Sequence, residues 1–209
     1  MDRKEQVYSY FNDRPCNLQT MLLKNRDIER IAHEDTKEVV SLLPPLEGKK
    51  VLEFAAGIGR FTTPLAEKAL HVTAVDLVPK FIQENRQKND KFSNISFQIE
   101  DATEFSSEKE SFDVIFINWL FVYLEDKEVE LLAKKCRLWL KSGGHLFIRE
   151  SCSASGRVVR DGYYANYRSL FYYTKLFDEH FTRIKQDSIQ IYEREFSNPF
   201  QCYWLYQKS

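Results

Sequence analysis

The run Val51-Leu-Glu-Phe-Ala-Ala-Gly-Ile-Gly59 leaves few folds open to this 209-residue chain. Four residues of strand character end in a loop of small residues with two glycines, and Arg60-Phe61-Thr62 leads on into helical sequence. A second apolar segment then closes on Asp76, seventeen residues after Gly59. A strand, a glycine loop, a helix and a second strand ending in an acid form the first turn of an α/β sheet that binds a nucleotide-type cofactor. The spacing is E-x-x-x-G-x-G, not G-x-G-x-x-G. No glycine set is placed to bring a helix N-terminus against a pyrophosphate, so the loop favours S-adenosylmethionine over a dinucleotide.

Composition narrows the partners. Basic and acidic residues number 30 and 31, for a net charge of −1, without the basic excess of a nucleic-acid binder. Cys16, Cys136, Cys152 and Cys202 lie far apart with no C-x-x-C pair, which predicts reduced thiols, no zinc or other metal site, and a cytoplasmic setting. The first residues lack the apolar stretch of a signal peptide, and no apolar run approaches membrane-spanning length. Neither membrane insertion nor nucleic-acid binding is expected.

The length suggests one domain. Residues 1–33 are polar with apolar anchors (Tyr8, Tyr10, Phe11, Leu18, Met21, Leu22, Leu23) and read as short helices, either a lid or plain packing. A helix over 34–43 stops at Pro44-Pro45. Strands are expected at 50–54, 71–75, 94–99, 111–117 and 145–148. Helices are expected from about Gly59, where Phe61, Leu65 and Ala69 recur every four residues, then over 78–89 and 126–140. The strand at 111–117 is nearly continuous in apolar residues, as in a strand covered on both faces. This alternation predicts a mostly parallel sheet with helices on both sides. After Glu150 the alternation breaks, and 184–192 and 200–206 read as two further strands forming an antiparallel edge hairpin. Five parallel strands and such a hairpin are the plan of the Rossmann-like class I methyltransferases, a seven-stranded sheet. The expected organisation is a cap segment at 1–33, a cofactor-binding core at 34–150, and a substrate-binding segment with the edge hairpin at 151–209.

Ligands of open α/β sheets bind beyond the carboxyl ends of the strands. Those ends carry Glu53 with Gly57 and Gly59, Asp76-Leu77, Asp101-Ala102 and Asn118-Trp119. Asp76 is placed to accept from ribose hydroxyls and also to cap the following helix. Asp101 is placed to take an adenine amino group, and Asn118-Trp119 falls beside the methionine end. Residues 149–175 hold Arg149, Arg157, Arg160, Arg168 and Lys175 against Glu150 and Asp161, an excess of three positive charges. Tyr163, Tyr164, Tyr167, Tyr172 and Tyr173 are interleaved with them. Guanidinium forks with phenols suit a small phosphate ester. A solvated helix with packing tyrosines is the other reading.

Several segments resemble the phosphoethanolamine N-methyltransferases of plants and nematodes, in the first of the two catalytic halves of the plant enzymes. They are Ser41-Leu-Leu-Pro-Pro-Leu-Glu-Gly-Lys-Lys-Val-Leu-Glu, Ala56-Gly-Ile-Gly-Arg-Phe-Thr, Asn118-Trp-Leu-Phe-Val-Tyr-Leu, Arg149-Glu-Ser-Cys, Tyr172-Tyr-Thr-Lys and Tyr203-Trp-Leu-Tyr-Gln-Lys. The resemblance implies methylation of phosphoethanolamine on the way to phosphocholine, with S-adenosylmethionine as cofactor. It puts Glu53, Gly57, Gly59, Asp76, Asp101, Ala102 and Asn118 at the cofactor, and Ser151, Tyr164, Tyr167 and Arg168 at the phosphobase. Tyr164 and Arg168, four apart, would share a helical face. Single-domain protozoan relatives carry an acid and a histidine after strand four, where this chain has Asn118 and Tyr123. Tyr123 or Tyr10 (or Tyr8) is therefore the expected proton acceptor or relay, with Asn118 or a carbonyl near it orienting the amine and Arg168 and the tyrosines of 163–173 holding the phosphate. His33, His71, His145 and His180 are expected to be structural or on the surface. A different small-molecule methyltransferase and a non-catalytic regulatory partner remain open, as does pairing with a second methyltransferase domain or chain.

Overall fold

The computed structural model describes residues 2–22, 27–154 and 164–209, together with the backbone of 158–159. Its centre is a seven-stranded sheet in the order β3-β2-β1-β4-β5-β9-β8. The parallel strands are β1 (Lys50–Phe54), β2 (His71–Asp76), β3 (Ile95–Ile99), β4 (Phe112–Asn118) and β5 (Leu140–Ser151). A two-stranded ribbon of β6 (Val158–Val159) and β7 (Asn166–Tyr167) follows. β8 (Thr182–Ser188) and β9 (Gln201–Gln207) complete the sheet antiparallel, with β9 between β5 and β8.

Both faces of the sheet are covered, which explains the unbroken apolar run of β4. Ile115 and Ile117 pack with Leu132 and Trp139 of α6 (Asp126–Trp139) and Tyr173 and Phe177 of α7 (Leu170–Asp178). Val114 and Phe116 face the other way. They pack with Val39 of α3 (Ile28–Ser41), Leu65 of α4 (Thr62–Ala66) and Ile191 of α8 (Gln190–Phe196). Pleating sends successive side chains to opposite faces, so a two-sided core needs apolar residues at every position. α5 (Pro79–Lys88) packs through Phe81 against Phe11, Leu18 and Met21 of the N-terminal segment.

That segment forms α1 (Arg3–Asn12) and the single turn α2 (Leu18–Met21). A capping box between Asp2 and Glu5 starts α1. Arg3 pairs with Asp101 and Glu128 at 3.0 Å, and Lys4 with Glu104 at 2.7 Å, which hold α1 across the carboxyl end of the sheet.

Two expectations are corrected. Residues 189–192 start α8 and are not strand. Glu38 of α3 accepts the amides of Gln190 (2.6 Å) and Ile191 (3.0 Å), so a remote carboxylate satisfies the N-terminal donors of this helix. The hairpin is therefore β8–β9 with a helix in its connection. Tyr164 and Arg168 share no helical face either. Tyr167 lies in the β7 ribbon, and α7 begins only after Ser169, whose hydroxyl accepts the Tyr172 amide at 3.2 Å. In addition, α3 begins at Ile28, earlier than its sequence pattern indicates.

A buried ionic cluster joins three elements. Asp35 of α3 is fully enclosed; its Oδ1 accepts from Arg149 Nη2 of β5 at 3.0 Å, and its Oδ2 accepts from Arg60 Nη1. Arg149 is also fully buried, and its Nη1 donates to Asn118 Oδ1 at 3.0 Å. Asp35→Ala strands two guanidinium groups. It is expected to cost about 3–5 kcal/mol of stability, read as a lower urea midpoint. Gly59→Ala is expected to cost about 2–4 kcal/mol, from a left-handed backbone and overpacking. Gly59 has φ +79°, and a Cβ there would stand 2.3 Å from Asn85 Oδ1. An unchanged midpoint in either variant would contradict these assignments.

Candidate functional site

Two cavities open at the carboxyl ends of the parallel strands. The first is lined by the loop Ala55-Ala56-Gly57-Ile58, by Asp76-Leu77-Val78, by Asp101-Ala102 and by Asn118-Trp119. Arg3, Phe11 and Met21 of the N-terminal segment lie over it. The second is lined by Tyr10, Arg14, Ser151, Tyr167, Tyr192 and Gln201, among others. Phe11, Thr20, Met21, Trp119 and Tyr123 border both.

Gly57 and Asp76 are coupled directly. Gly57 has φ +54°, and its amide donates to Asp76 Oδ2 at 2.8 Å. The amide of Val78 donates to Asp76 Oδ1 at 2.9 Å, which also tethers the start of α5. Each carboxylate oxygen keeps acceptor capacity toward the cavity. Burial raises the Asp76 carboxyl to about 6, against the pull of those two amides. Glu53 and Gly59 are not in the cavity wall. Glu53 is buried behind the loop, accepting from Thr62 Oγ1 at 2.6 Å, and burial followed by repulsion from Asp76 raises its carboxyl to about 8. At Gly59 a side chain would collide with Asn85 of α5. Both residues shape the loop from behind.

Asp101 does line the cavity, with its oxygens already engaged. Oδ1 accepts from the Thr103 amide and hydroxyl at 2.8 and 2.7 Å, and Oδ2 accepts from Arg3 Nη2 at 3.0 Å. Burial opposes ionisation, but the Thr103 donors and Arg3 outweigh it and hold the carboxyl below its ordinary value. Only the remaining acceptor capacity of Oδ2 is left for an adenine amino group. Ala102, beside it, gives a flat apolar surface.

Trp119 stands where the cavities meet, and Asn118 lines the first cavity beside it. The Arg149 contact fixes the orientation of Asn118. Trp119 has φ +52°, its Nε1 donates to Gln201 Oε1 at 2.8 Å, and the Arg149 guanidinium lies 3.7 Å over its ring. A tryptophan in this sparsely populated conformation is held by contacts on all sides. The ring of Tyr123 packs edge-on against Phe11 at 5.3 Å, and Tyr10 packs against Phe11 at 5.0 Å. Of the expected catalytic set, Tyr123 lines both cavities, Asn118 the first and Tyr10 the second.

The expected phosphate receptor is rearranged. Arg168 is buried; it donates to the carbonyls of Phe121 (2.7 Å) and Leu124 (2.6 Å) and to Asp126 Oδ1 (2.8 Å). Its guanidinium fastens the loop after β4 and lines neither cavity. Tyr173 is a core residue, packed between Phe121 and Trp204, and Tyr172 packs against the same core. Tyr164 is half-buried outside the described cavity walls. Arg149 serves Asp35, and Lys175 is exposed on α7. Arg157, Arg160 and Tyr163 lie outside the described residues. Of the expected substrate-binding set, Ser151 and Tyr167 do line the second cavity. Ser151 Oγ accepts from Gln201 Nε2 at 2.9 Å.

Sequence reasoning missed Arg60, Gln201 and Arg14 in the cavity walls, together with Asp35 behind them. The signal for Asp35 was a lone acid on the apolar face of α3; for Arg149 it was a charge inside the strand run Phe147-Ile148-Arg149. None of the four histidines is among the described cavity-lining residues. Among the described residues, no helix is long and apolar enough to cross a membrane.

Comparison with known proteins follows this geometry. The methyltransferase domain family matches residues 51–144. Phosphoethanolamine N-methyltransferase 3 of Arabidopsis thaliana is 39% identical over 99% of the chain and 45% of its own length. Phosphoethanolamine N-methyltransferase 1 of Caenorhabditis elegans is 39% identical over 68% of the chain and 30% of its own length. The chain thus spans less than half of either relative. Among solved structures, Haemonchus contortus phosphoethanolamine N-methyltransferase 1, in complex with phosphoethanolamine and S-adenosylhomocysteine, superposes with a TM-score of 0.87. That match has 31% identity and covers 99% of this chain and 49% of the other. Sequence and fold together show a methyltransferase domain that is similar, over nearly all of this chain, to about half the length of the phosphoethanolamine N-methyltransferases.

Proposed function

We propose that the chain binds S-adenosylmethionine in the first cavity and transfers its methyl group to the amine of phosphoethanolamine in the second, as a step toward phosphocholine. The observation that carries this reading is the shared border: Trp119 and Tyr123 face both cavities at the end of β4. A donor and an acceptor bound on the two sides would meet there.

The first cavity suits the cofactor on its own chemistry. Asp76 has acceptor capacity for ribose hydroxyls, and Leu77, Val78 and Ala102 are apolar enough to pack a purine. When bound, S-adenosylmethionine supplies an activated methyl on a sulfonium. The chain contributes position and a dry setting, and Phe11 and Met21 exclude water from above. Aromatic rings at the junction suit a cationic centre. The acceptor amine, protonated at neutral pH, must lose a proton before its nitrogen bonds to the methyl carbon as the carbon–sulfur bond breaks. Tyr123 and Tyr10 are placed to take or relay that proton, and Asn118, held by Arg149, to orient the amine. Residues 1–33 then act as a lid, 34–150 as the cofactor-binding core and 151–209 as the acceptor-binding segment and sheet edge. The setting is cytoplasmic, and the half-length match to the relatives points to a second methyltransferase domain or chain as partner.

A second reading has one specific observation in its favour. Arg168 is committed to the loop, so an unphosphorylated amine is a competing acceptor. Labelled S-adenosylmethionine, offered with ethanolamine, phosphoethanolamine and phosphocholine in parallel, decides between them. Transfer to phosphoethanolamine well above ethanolamine is expected; equal transfer would favour the second reading, and no transfer a regulatory role.

Cofactor binding is expected to depend on pH through Asp76. Its carboxyl is protonated below about 6 and ionised above, and ribose hydroxyls donate to the ionised form. Affinity for S-adenosylhomocysteine should therefore rise as pH increases through about 6 and level off above. Asp76→Asn should remove that step. It should also weaken binding by about 1.5–3 kcal/mol, the worth of hydrogen bonds to a charged group. Calorimetry across this range showing flat wild-type affinity would refute the role.

A further inference from the structure

A phosphate ester in the second cavity needs a cation, and the buried arginines nearby are already paired. We propose that Arg14, in the connection between α1 and α2, is the residue that grips the phosphate of the acceptor and so decides which end of the acceptor faces the methyl donor. This rests on the reading of the second cavity as the acceptor site. Arg14 carries the only charge among the described residues lining that cavity. Its backbone is fixed from below, because Lys80 Nζ on α5 donates to the carbonyls of both Asn12 and Arg14. Cys16 Sγ approaches the Lys80 carbonyl at 3.8 Å, which holds the far side of the same turn.

The side chain is poised by stacking. The guanidinium carbon lies 3.6 Å from the centroid of the Tyr10 ring, and Nη1 makes one long contact, 3.4 Å, to the Tyr10 carbonyl. Among the described residues no carboxylate pairs with it. Stacking occupies the face of a guanidinium and leaves its N–H edges in the plane, the arrangement a phosphate takes up in a fork. The other arginines differ on this point. Arg60 and Arg149 share Asp35, and Arg168 spends its donors on Phe121, Leu124 and Asp126.

Arg14 belongs to the segment that covers the site and lines only the second cavity, while Trp119 and Tyr123 border the first cavity as well. A zwitterionic acceptor held by its phosphate at Arg14 presents its amine to that border. The same contact ties the covering segment to the bound acceptor, so an acceptor without phosphate forfeits both orientation and closure.

The test compares wild type with Arg14→Gln and Arg14→Lys in the same chain. Arg14→Gln is expected to raise the KM for phosphoethanolamine at least tenfold and to erase its advantage over ethanolamine. Its affinity for S-adenosylhomocysteine should stay within about twofold, which a general loss of structure would not allow. Arg14→Lys, a point charge without the fork, should fall between the two, and it serves as the readout if Arg14→Gln is unstable. Competitive inhibition by inorganic phosphate should weaken in the same order. An unchanged KM in Arg14→Gln overturns the proposal, all the more if Arg157→Gln or Arg160→Gln raises it instead. Wild type that methylates no phosphorylated amine brings down the functional reading itself; direct calorimetry of inorganic phosphate on wild type and Arg14→Gln then still judges Arg14, with equal binding counting against it.

Discussion

The carboxylate of Asp35 sits where α3, the start of α4 and the end of β5 converge, and the site is assembled around it. One acid pairs with two arginines, one on each carboxylate oxygen. Arg60 reaches it from the glycine loop and Arg149 from the sheet. Neither guanidinium could stand there uncompensated, since a lone buried charge costs several kcal/mol. Arg149 then passes the constraint on by fixing Asn118 through Nη1 and lying flat on Trp119. The left-handed conformation of Trp119 follows from being clamped between that cation, Gln201 and the strand end. The geometry of the junction between the cavities is thus set by an ion cluster whose Arg149 lies against Trp119 and Tyr192 of the second cavity.

The sheet was legible because its signals are local. Strand runs, the glycine loop and the acid closing β2 sit in contiguous residues, and the boundaries of β1 to β4 fall within a residue or two of the structure, whereas β5 runs over Leu140–Ser151, well beyond the expected 145–148. What failed was non-local. The first turn of α8 is stabilised by Glu38, some 150 positions away in sequence, so Ile189-Gln-Ile-Tyr192 looked like alternating strand. Arg168 and Tyr173 read as ligands because arginine and tyrosine together suit a phosphate. The same residue types also suit a buried loop staple, and no single-chain pattern separates the two. Glu53 and Gly59 belong to the loop motif, yet their partners are Thr62 and Asn85. Part of that motif therefore records how the loop packs on its helices.

The N-terminal segment changes the character of the site. Without α1 and α2, the ends of the strands would present an open shelf. With them, Phe11 separates two compartments and packs between Phe81 on one side and Tyr123 on the other. Arg3 is tied to Asp101 on the shelf itself, so the covering helix is tethered through a residue that also lines the floor. Roof and floor are one electrostatic unit.

The position of β9 has a consequence for how the chain is made. This strand is the last of the sheet in sequence, yet it lies inside the sheet, between β5 and β8. During synthesis, β5 emerges with one edge unpaired and Phe147 and Ile148 ready to bury. About fifty further residues must follow before its partner arrives. Until then a nascent chain carries an open apolar edge, the kind of surface that invites mispairing with another chain. Final closure is an insertion, with Cys202 to Gln207 sliding between two strands already waiting, and it ties protection from aggregation to the last stretch of the sheet to be translated.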